Sequence, residues 1–300
     1  MKSRNLKIVH SYWTKPNLKD GDTNTWDRKA GGWVDKKFNY MSWALSCLQF
    51  REYYDQVELV TDQAGAALLI DKLGLPYTRV QVILDELNDY HPDLWAMGKL
   101  LAYRAQEEPF IHADGDIFVW GAFGQRIEEA SLVAQHLEDD YPFYRDVLAE
   151  IDEHFDYVPE VIAQRWQQGH IKASNAGVFG GNQLEFFQDY TAEALKFIDR
   201  NLEHVGKVTT GLFNCIYEQF LFHAMAEQQD IPVQYYTKNI DHQFKGLVQF
   251  DGVPTKTKYI HPVGFYKKFS KIGNHLAYRL RKDHPEYYFR IMNLIKNFEI

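Results

Sequence analysis

The sequence predicts an α/β fold, a largely parallel sheet with helices on its faces and a helical extension at the C-terminal end. Short apolar runs of strand length alternate with segments of helical apolar spacing as far as Ala113. That alternation is typical of β-α-β units, in which helices join successive parallel strands. The 300 residues are 45% hydrophobic and 25% charged, which indicates a globular chain with a sizeable core.

Four strands and three helices are predicted before Asp114. The second helix ends at a glycine and the third begins at an aspartate, as helices commonly do. Ligands of such sheets bind beyond the carboxyl ends of the strands, so the residues after each strand are the first candidates for a site. The predicted strands are 6–13, 57–62, 77–83 and 109–113, and the predicted helices are 38–54, 64–74 and 93–106.

The segment 15–35 is polar, contains several glycines and lacks periodicity. Because it follows the first strand directly, we expect a mobile loop over the site. No Pro/Gly/Ser-rich linker divides the chain, so we expect one domain over 1–265 and a C-terminal extension over 266–300. The later predicted helices lie within 141–168, 183–203 and 211–228, and late strands are predicted at 232–237 and 258–264.

Charge and cysteine content exclude several classes of protein. The formal net charge of −8 argues against nucleic-acid binding as the main activity. Cys47 and Cys215 form no CxxC motif and are expected to be buried thiols. No run of 18 apolar residues occurs, and no long apolar segment follows the basic residues at the N-terminus. A cytoplasmic location is therefore expected.

The last 35 residues differ from the rest of this acidic chain, with eight basic and three acidic side chains. One interpretation is contact with anionic lipid or with a lipid-linked acceptor, at the periphery of a membrane. The other is an amphipathic helix that packs on the domain and leaves its charges in solvent. The sequence leaves both open.

Two carboxylates interrupt a predicted buried strand in the segment FIHADGDIFVW. Asp114 and Asp116 share one face of an extended chain, because side chains at i and i+2 do so, and Gly115 allows close approach of a ligand. Burying an unpaired charge is costly, so a partner is expected. Carboxylate oxygens suit Mn²⁺ or Mg²⁺, whose remaining ligands are commonly phosphate oxygens and water. The alternative is a solvated acidic turn.

With these residues the sequence resembles glycosyltransferases of the GT-A fold, of the family-8 and family-32 type. The resemblance spans residues 6–265 and lies in the order of its motifs: ELVTD, DGD, SNAGVFGG and YIHPVGF. It implies a Rossmann-like nucleotide-binding half within a mixed sheet flanked by helices. It also implies a hexosyltransferase that uses a nucleoside-diphosphate sugar, with UDP-sugar expected. The acceptor would be a sugar or a glycolipid, as in surface polysaccharide or glycolipid synthesis.

The resemblance implies roles for individual residues. Asp114, Asp116 and His261 would hold Mn²⁺ or Mg²⁺, and Asp114 could instead bind the donor ribose. Gly264 would let the diphosphate approach the backbone. Lys99, which shares one helix face with Trp95 and Tyr103, would reach the phosphates or the sugar. The nucleoside pocket would be lined by residues at the ends of the first two strands, namely His10, Tyr12, Thr61 and Asp62.

Three further polar residues are candidates for the transfer step. Asn175 can bond hydroxyl groups of the donor or acceptor through its amide. Glu218 and Gln219 interrupt an apolar helix, where many GT-A enzymes contact acceptor or sugar. In an inverting reaction Glu218 or Asp241 would be the general base. In a retaining reaction, which the family-8-like features favour, the acidic or amide group on this helix would stabilise positive charge at the anomeric carbon.

Several of these residues also have a purely structural interpretation. An aspartate after a strand caps the next helix, a polar side chain can tie a turn, and a surface lysine is usually solvated. A histidine or tyrosine on a strand commonly packs in the core. The residues open to such interpretations are Tyr12, Asp62, Lys99, His112, Asn175 and His261.

Two other functions remain open from the sequence. The first is a haloacid-dehalogenase-type phosphatase with Asp114 as nucleophile and Asp116 as acid/base. That loop usually lies near the N-terminus, and Phe118 stands where such enzymes carry Thr or Val. The second is a non-catalytic GT-A-like module that binds a nucleotide sugar. The presence of all three potential metal ligands, Asp114, Asp116 and His261, argues against a non-catalytic module.

Overall fold

A computed structural model describes residues 3–18, 29–169, 171–238, 240 and 243–300. The strands within it are β1 (Ser3–Tyr12), β2 (Tyr54–Thr61), β3 (Arg79–Val82), β4 (Phe110–Ala113), β5 (Phe118–Val119), β6 (Leu132–Ala134), β7 (Leu137–Asp139), β8 (Lys172–Ser174), β9 (Val178–Gly181), β10 (Val233–Tyr235) and β11 (Tyr259–Ile260). The helices are α1 (Lys15–Leu18), α2 (Lys36–Tyr53), α3 (Gln63–Ala66), α4 (Met97–Arg104), α5 (Gln125–Glu128), α6 (Pro142–His154), α7 (Glu160–Gln168), α8 (Leu184–Asp199), α9 (Thr210–Cys215), α10 (Leu221–Gln228), α11 (Ser270–Asp283) and α12 (Pro285–Lys296).

Seven of the described strands form a mixed, mostly parallel central sheet that is flanked by helices, in the order β10-β6-β9-β4-β1-β2-β3. Strands β1, β2 and β3 run parallel, as do β6 and β10, whereas β6 and β9 are antiparallel. The predicted α/β class is therefore confirmed. Among the described residues, no helix has both the length and the apolar character needed to cross a membrane.

The chain divides into two compact units. Unit 1 comprises Met1–Asn88, Ala113–Ala122 and Ile240–Ile300. Unit 2 comprises Asp89–His112 and Phe123–Asn239.

Unit 1 is built around helix α2. Asp35 caps its first turn by accepting a hydrogen bond from the Lys37 N–H at 2.9 Å. Its residues from Met41 to Phe50 are buried on every side, which is typical of a helix enclosed by other elements. Helix α11 packs closely against α2, because Gly273 lies against the ring of Phe38. Buried side chains of α11 and α12 belong to the same hydrophobic core as α2.

Unit 2 combines the residues just before the DGD motif with the long segment that follows it as far as β10. Helix α8 is amphipathic, as its apolar spacing predicts, and it buries an aromatic face that includes Phe186, Phe187 and Tyr190. The helix predicted at 211–228 is present, but its middle, Ile216–Phe220, is a π-helical turn, which is wider than the α-helical turns on either side. Such wide turns occur often at functional sites, and this one carries two of the candidate residues.

Several elements differ from their predicted bounds, and two of them have a local explanation. The late strand predicted at 258–264 is confined to β11, because Pro262 has no N–H to donate and Gly264 adopts a positive φ of 55° at the start of a helical turn. The helix predicted from residue 93 begins only at Met97. Asn214 accepts a hydrogen bond from the Ala96 N–H at 2.8 Å, just ahead of that start.

The predicted loop 15–35 is described only in part. It begins with the short helix α1 and ends in a tight turn over Lys29–Gly32. Residues 19–28, and with them the expectation of a mobile loop over the site, lie outside the described residues, as does Asp241.

Candidate functional site

The DGD motif forms a tight turn in unit 1, directly after β4. The Ile117 N–H donates to the Asp114 carbonyl at 2.9 Å and closes the turn. Helix α2 holds it from one side, because the Ser42 hydroxyl donates to the Gly115 carbonyl at 2.8 Å. The Trp43 ring lies against Gly115, in the space that a side chain would otherwise fill. The contacts of Ser42 and Trp43 with this turn were not predicted, because helical spacing does not reveal which residues a buried helix face will contact.

Three potential metal ligands come together at this turn. Asp114, Asp116 and His261 each offer one ligand atom, and these atoms lie within 4.8 Å of one another. The pairing of β11 with β5 explains why a residue so distant in sequence is present. Ile260 lies opposite Phe118 in an antiparallel register, so the residue after β11 returns to the DGD turn. Asp116 and His261 are buried and Asp114 is half-buried.

A lysine completes the cluster. The Lys267 ammonium lies 2.5 Å from Asp116 Oδ2, and His261 Nε2 lies 3.5 Å from Asp116 Oδ1. Burial alone would raise the pKa of Asp116, but the charges of Lys267 and His261 outweigh it and hold that pKa well below its usual range. Asp116 is therefore a carboxylate. Lys267 was not among the predicted site residues. Its position three residues after the candidate Gly264 is the sequence feature that could have indicated it.

This donor set fits a divalent cation. Metal ligands must be deprotonated, and the low pKa of Asp116 meets that condition. Two carboxylates and one imidazole are ligands that divalent metal ions accept in proteins. Gly264 follows close by in sequence with a positive φ, and a Cβ built there would have no atom within 4 Å, so the backbone is open to a ligand.

We expect Gly115→Ala to weaken Mn²⁺ binding about tenfold or more and to destabilise the fold by roughly 1–3 kcal/mol, as overpacking does. A Cβ at residue 115 would lie 2.6 Å from three atoms of the Trp43 ring, so the ring or the turn must move. Calorimetric titration with Mn²⁺ measures the effect. Gly121→Ala is the matched control, because a Cβ there meets only the Lys258 side chain, at 3.2 Å. Unchanged Mn²⁺ affinity in Gly115→Ala would contradict this account of the turn.

The residues predicted to line a nucleoside pocket lie at the ends of β1 and β2. Tyr12 and Thr61 are opposite each other in the parallel register, and the Thr61 hydroxyl donates to the Tyr12 carbonyl at 2.6 Å. Asp62 caps α3 by accepting from the Gly65 N–H at 2.7 Å. Its other oxygen accepts from the N–H and the hydroxyl of Thr14, both at 2.7 Å. Asp62 thus orders the turn after β1 as well as the helix.

His10 lies in the core of unit 1. It is fully buried, and its nitrogens face the Tyr77 hydroxyl at 2.8 Å and the Ser46 hydroxyl at 3.3 Å. Burial lowers the pKa of His10 to about 3, so the ring is neutral. The Trp43 ring contacts His10 and Tyr12, with centroids 5.8 Å and 4.7 Å away. Trp43 therefore links the strand β1 to the DGD turn.

In unit 2, Lys99 and Glu218 form a buried ion pair. Lys99 Nζ lies 3.2 Å from Glu218 Oε1, which also accepts from the Tyr103 hydroxyl at 3.0 Å. Glu218 is fully buried and Lys99 is 9% exposed. The lysine also lies over the Trp95 ring, at 5.5 Å from its centroid. Lys99 and Tyr103, which the sequence placed on one helix face, thus both contact this carboxylate, whereas Trp95 lies before the start of α4.

The remaining candidates of unit 2 are also buried. Asn175 donates to Glu138 Oε1 at 2.9 Å and accepts from the Gly177 N–H at 3.1 Å, so it ties the turn that follows β8. Gln219 is 7% exposed, and its Oε1 has no hydrogen-bond partner within the described ranges. His112 packs edge-on against Tyr103, with ring centroids 5.2 Å apart.

Comparisons with known proteins give one family model and a set of similar solved structures. The chain is similar to the apo form of mouse xyloside xylosyltransferase 1, with 10% identity and a TM-score of 0.37 over 78% of this chain and 85% of that one. No curated protein sequence matches it. Residues 6–294 match the model of a family described as "Family of unknown function (DUF6734)". Because that match spans nearly the whole sequence, the chain belongs to the DUF6734 family.

Proposed function

We propose that the chain is a metal-dependent glycosyltransferase of the GT-A type that uses a nucleoside-diphosphate sugar, in the first instance a UDP-sugar. Its acceptor is a sugar or a glycolipid. The observation that carries the proposal is the cluster in which His261 and Lys267 meet Asp114 and Asp116 at the turn directly after β4. Ligands of parallel sheets bind at that end of the strands, and a divalent cation held by this cluster would attract a diphosphate.

A nucleoside diphosphate is a poor leaving group unless its charge is balanced. A divalent cation, Mn²⁺ in preference to Mg²⁺, held by Asp114, Asp116 and His261 would neutralise that charge and polarise the phosphate oxygens. Lys267 adds a cation of the protein's own, and an ammonium is a good partner for phosphate. The open, positive-φ backbone at Gly264 allows the phosphates to approach.

The other roles follow the resemblance. Tyr12, Thr61 and Asp62 order the end of the pocket for the nucleoside, and His10 supports it through Trp43. The resemblance assigns contacts with the donor or acceptor sugar to four residues of unit 2, namely Lys99, Asn175, Glu218 and Gln219. The enclosed Glu218, paired with Lys99, suits electrostatic support better than proton abstraction, which favours retention of configuration. The unpaired Gln219 amide oxygen is a group that a hydroxyl or an anomeric centre can use.

The test is a thermal-shift panel of UDP, GDP, ADP and CMP, each with Mn²⁺, with Mg²⁺ and with a chelator. A ligand that binds the folded state raises the melting midpoint by mass action. We expect one diphosphate to raise it, in the presence of Mn²⁺ only. Hydrolysis of the matching nucleotide sugar is then measured.

Three outcomes would overturn the proposal. A panel with no shift for any nucleotide would remove its basis. Release of phosphate from p-nitrophenyl phosphate, without nucleotide binding, would favour the phosphatase. Binding without sugar transfer or donor hydrolysis would favour the non-catalytic module.

A further inference from the structure

The C-terminal segment of unit 1 exposes aromatic side chains. Within the described ranges, the exposed aromatic residues are Phe265, Phe269, Tyr278, Phe289 and Phe298, with 50% to 94% of each side chain exposed. All five fall in the last 36 residues of the chain. Scattered single apolar residues are normal on a surface, but a concentration of this kind marks an interaction site.

Exposed rings and exposed basic side chains occur together before α11 and on it. The rings of Phe265 and Phe269 are 5.8 Å apart, just before the helix. Lys271 lies in the first turn of α11 and Tyr278 seven residues later, so the two share one face of the helix. Both are exposed.

The same surface continues onto α12. The Arg281 guanidinium lies 5.7 Å from the centroid of the Phe289 ring, so the two helices present a cation and an aromatic ring together. The opposite side of α11 is anchored in the core, where Ile272, Leu276 and Leu280 are buried. We refer to Phe265, Phe269, Lys271, Tyr278, Arg281 and Phe289 as the C-terminal surface.

Charge favours one kind of partner for this surface. The chain carries a net charge of −8, yet residues 266–300 hold eight basic and three acidic side chains. Protein interfaces are depleted in lysine, whereas basic residues interleaved with aromatic rings are typical of elements that lie at a membrane surface. Aromatic rings enter the headgroup region, and lysine and arginine pair with lipid phosphates.

We propose that the C-terminal surface docks the protein on the surface of an anionic lipid bilayer. The attachment is peripheral, with α11 lying along the bilayer plane and its apolar face still in the core of unit 1. Attachment to the bilayer requires no nucleotide, so its test is independent of the proposed glycosyltransferase activity.

Co-sedimentation of the full chain with vesicles tests this proposal. One vesicle preparation is phosphatidylcholine alone, and the other is phosphatidylcholine mixed with phosphatidylglycerol. We expect binding to the mixed vesicles, at least about tenfold tighter than to phosphatidylcholine, and weakening as salt screens the charges. Phe265→Ser/Phe269→Ser and Lys271→Glu/Arg281→Glu should each reduce binding about tenfold or more.

Matched controls separate the surface from general effects of charge and apolarity. Lys207→Glu/Lys238→Glu makes the same charge change at exposed positions of unit 2, and Val82→Ser/Leu202→Ser removes two other exposed apolar side chains. Both should bind like the wild type, and all variants should retain its melting midpoint. Failure of the wild type to bind mixed vesicles overturns the proposal, as does an equal loss in the controls. Concentration-dependent dimers that the Phe265→Ser/Phe269→Ser variant abolishes, without vesicle binding, would assign the surface to a second copy of the chain.

Discussion

For the proposed glycosyltransferase, we expect Asp116→Asn to abolish Mn²⁺-dependent nucleotide binding and to lower turnover of the donor sugar by roughly a thousandfold or more, the scale of the several kcal/mol that a metal supplies to a developing negative charge. The substitution removes one of two carboxylates from the ligand set and leaves an amide that binds cations weakly. It also leaves the Lys267 ammonium without its partner, which costs about 1–3 kcal/mol of stability. Calorimetric titration with Mn²⁺ and a donor-hydrolysis assay measure the two effects.

Two further variants show whether the loss is specific. Asp71→Asn makes the same chemical change at an exposed position of unit 1 and should leave Mn²⁺ binding and activity unchanged. Lys267→Met should leave Mn²⁺ affinity equal or higher, because it removes a cation that competes for Asp116. The affinity for the nucleoside diphosphate should fall about tenfold, because the phosphates lose a cationic partner. If Lys267→Met lost Mn²⁺ affinity as fully as Asp116→Asn does, the cluster would be a structural ion pair.

Lys99→Met destabilises the folded chain by roughly 3–5 kcal/mol, the usual cost of leaving one partner of a buried ion pair uncompensated. The Glu218 carboxylate is fully buried, and Lys99 Nζ lies 3.2 Å from its Oε1. The Tyr103 hydroxyl would remain as a donor at 3.0 Å, but it carries no charge. The shift of the urea midpoint, followed by circular dichroism, measures the effect.

The matched control for this pair is Lys99→Met/Glu218→Gln. Its amide keeps a hydrogen bond to the Tyr103 hydroxyl without a buried charge, so most of the lost stability should return. A single Lys99→Met that shifts stability by less than about 1 kcal/mol, as at a solvated lysine, would refute the account of the buried pair. Activity of the double variant then reports on the proposed role of Glu218 apart from folding.

Local sequence was informative wherever the physical signal is local. The alternation of apolar runs predicted the strand and helix order from β1 to β4, because helix and strand periods differ and each is written in a few neighbouring residues. The DGD pattern predicted two carboxylates that converge where a strand ends, but it placed them on an extended chain, whereas the structure forms a tight turn there. The predicted stripe of Trp95, Lys99 and Tyr103 holds in part, because Lys99 and Tyr103 lie on α4 and contact Glu218, whereas Trp95 lies before the helix.

Elements with competing local signals were predicted less well. The apolar segment at 258–264 has strand character, but Pro262 and Gly264 end the strand after Ile260. The helix over 211–228 contains a wide turn at Glu218 that its apolar spacing does not reveal. In both cases a backbone effect outweighs hydrophobic periodicity.

The sequence by itself determined the α/β class, the position of two carboxylates at the end of a strand and the basic character of the last 35 residues. Only the tertiary structure decided which distant residues meet. The pairing of β11 with β5 places His261 and then Lys267 at Asp116, and the packing of α2 places Ser42 and Trp43 on Gly115. Tertiary packing also decided that α11 buries one face and exposes the aromatic and basic residues of the other. The physical reason is that periodicity records which side of an element is apolar, whereas contacts across a hundred residues depend on how whole elements pack.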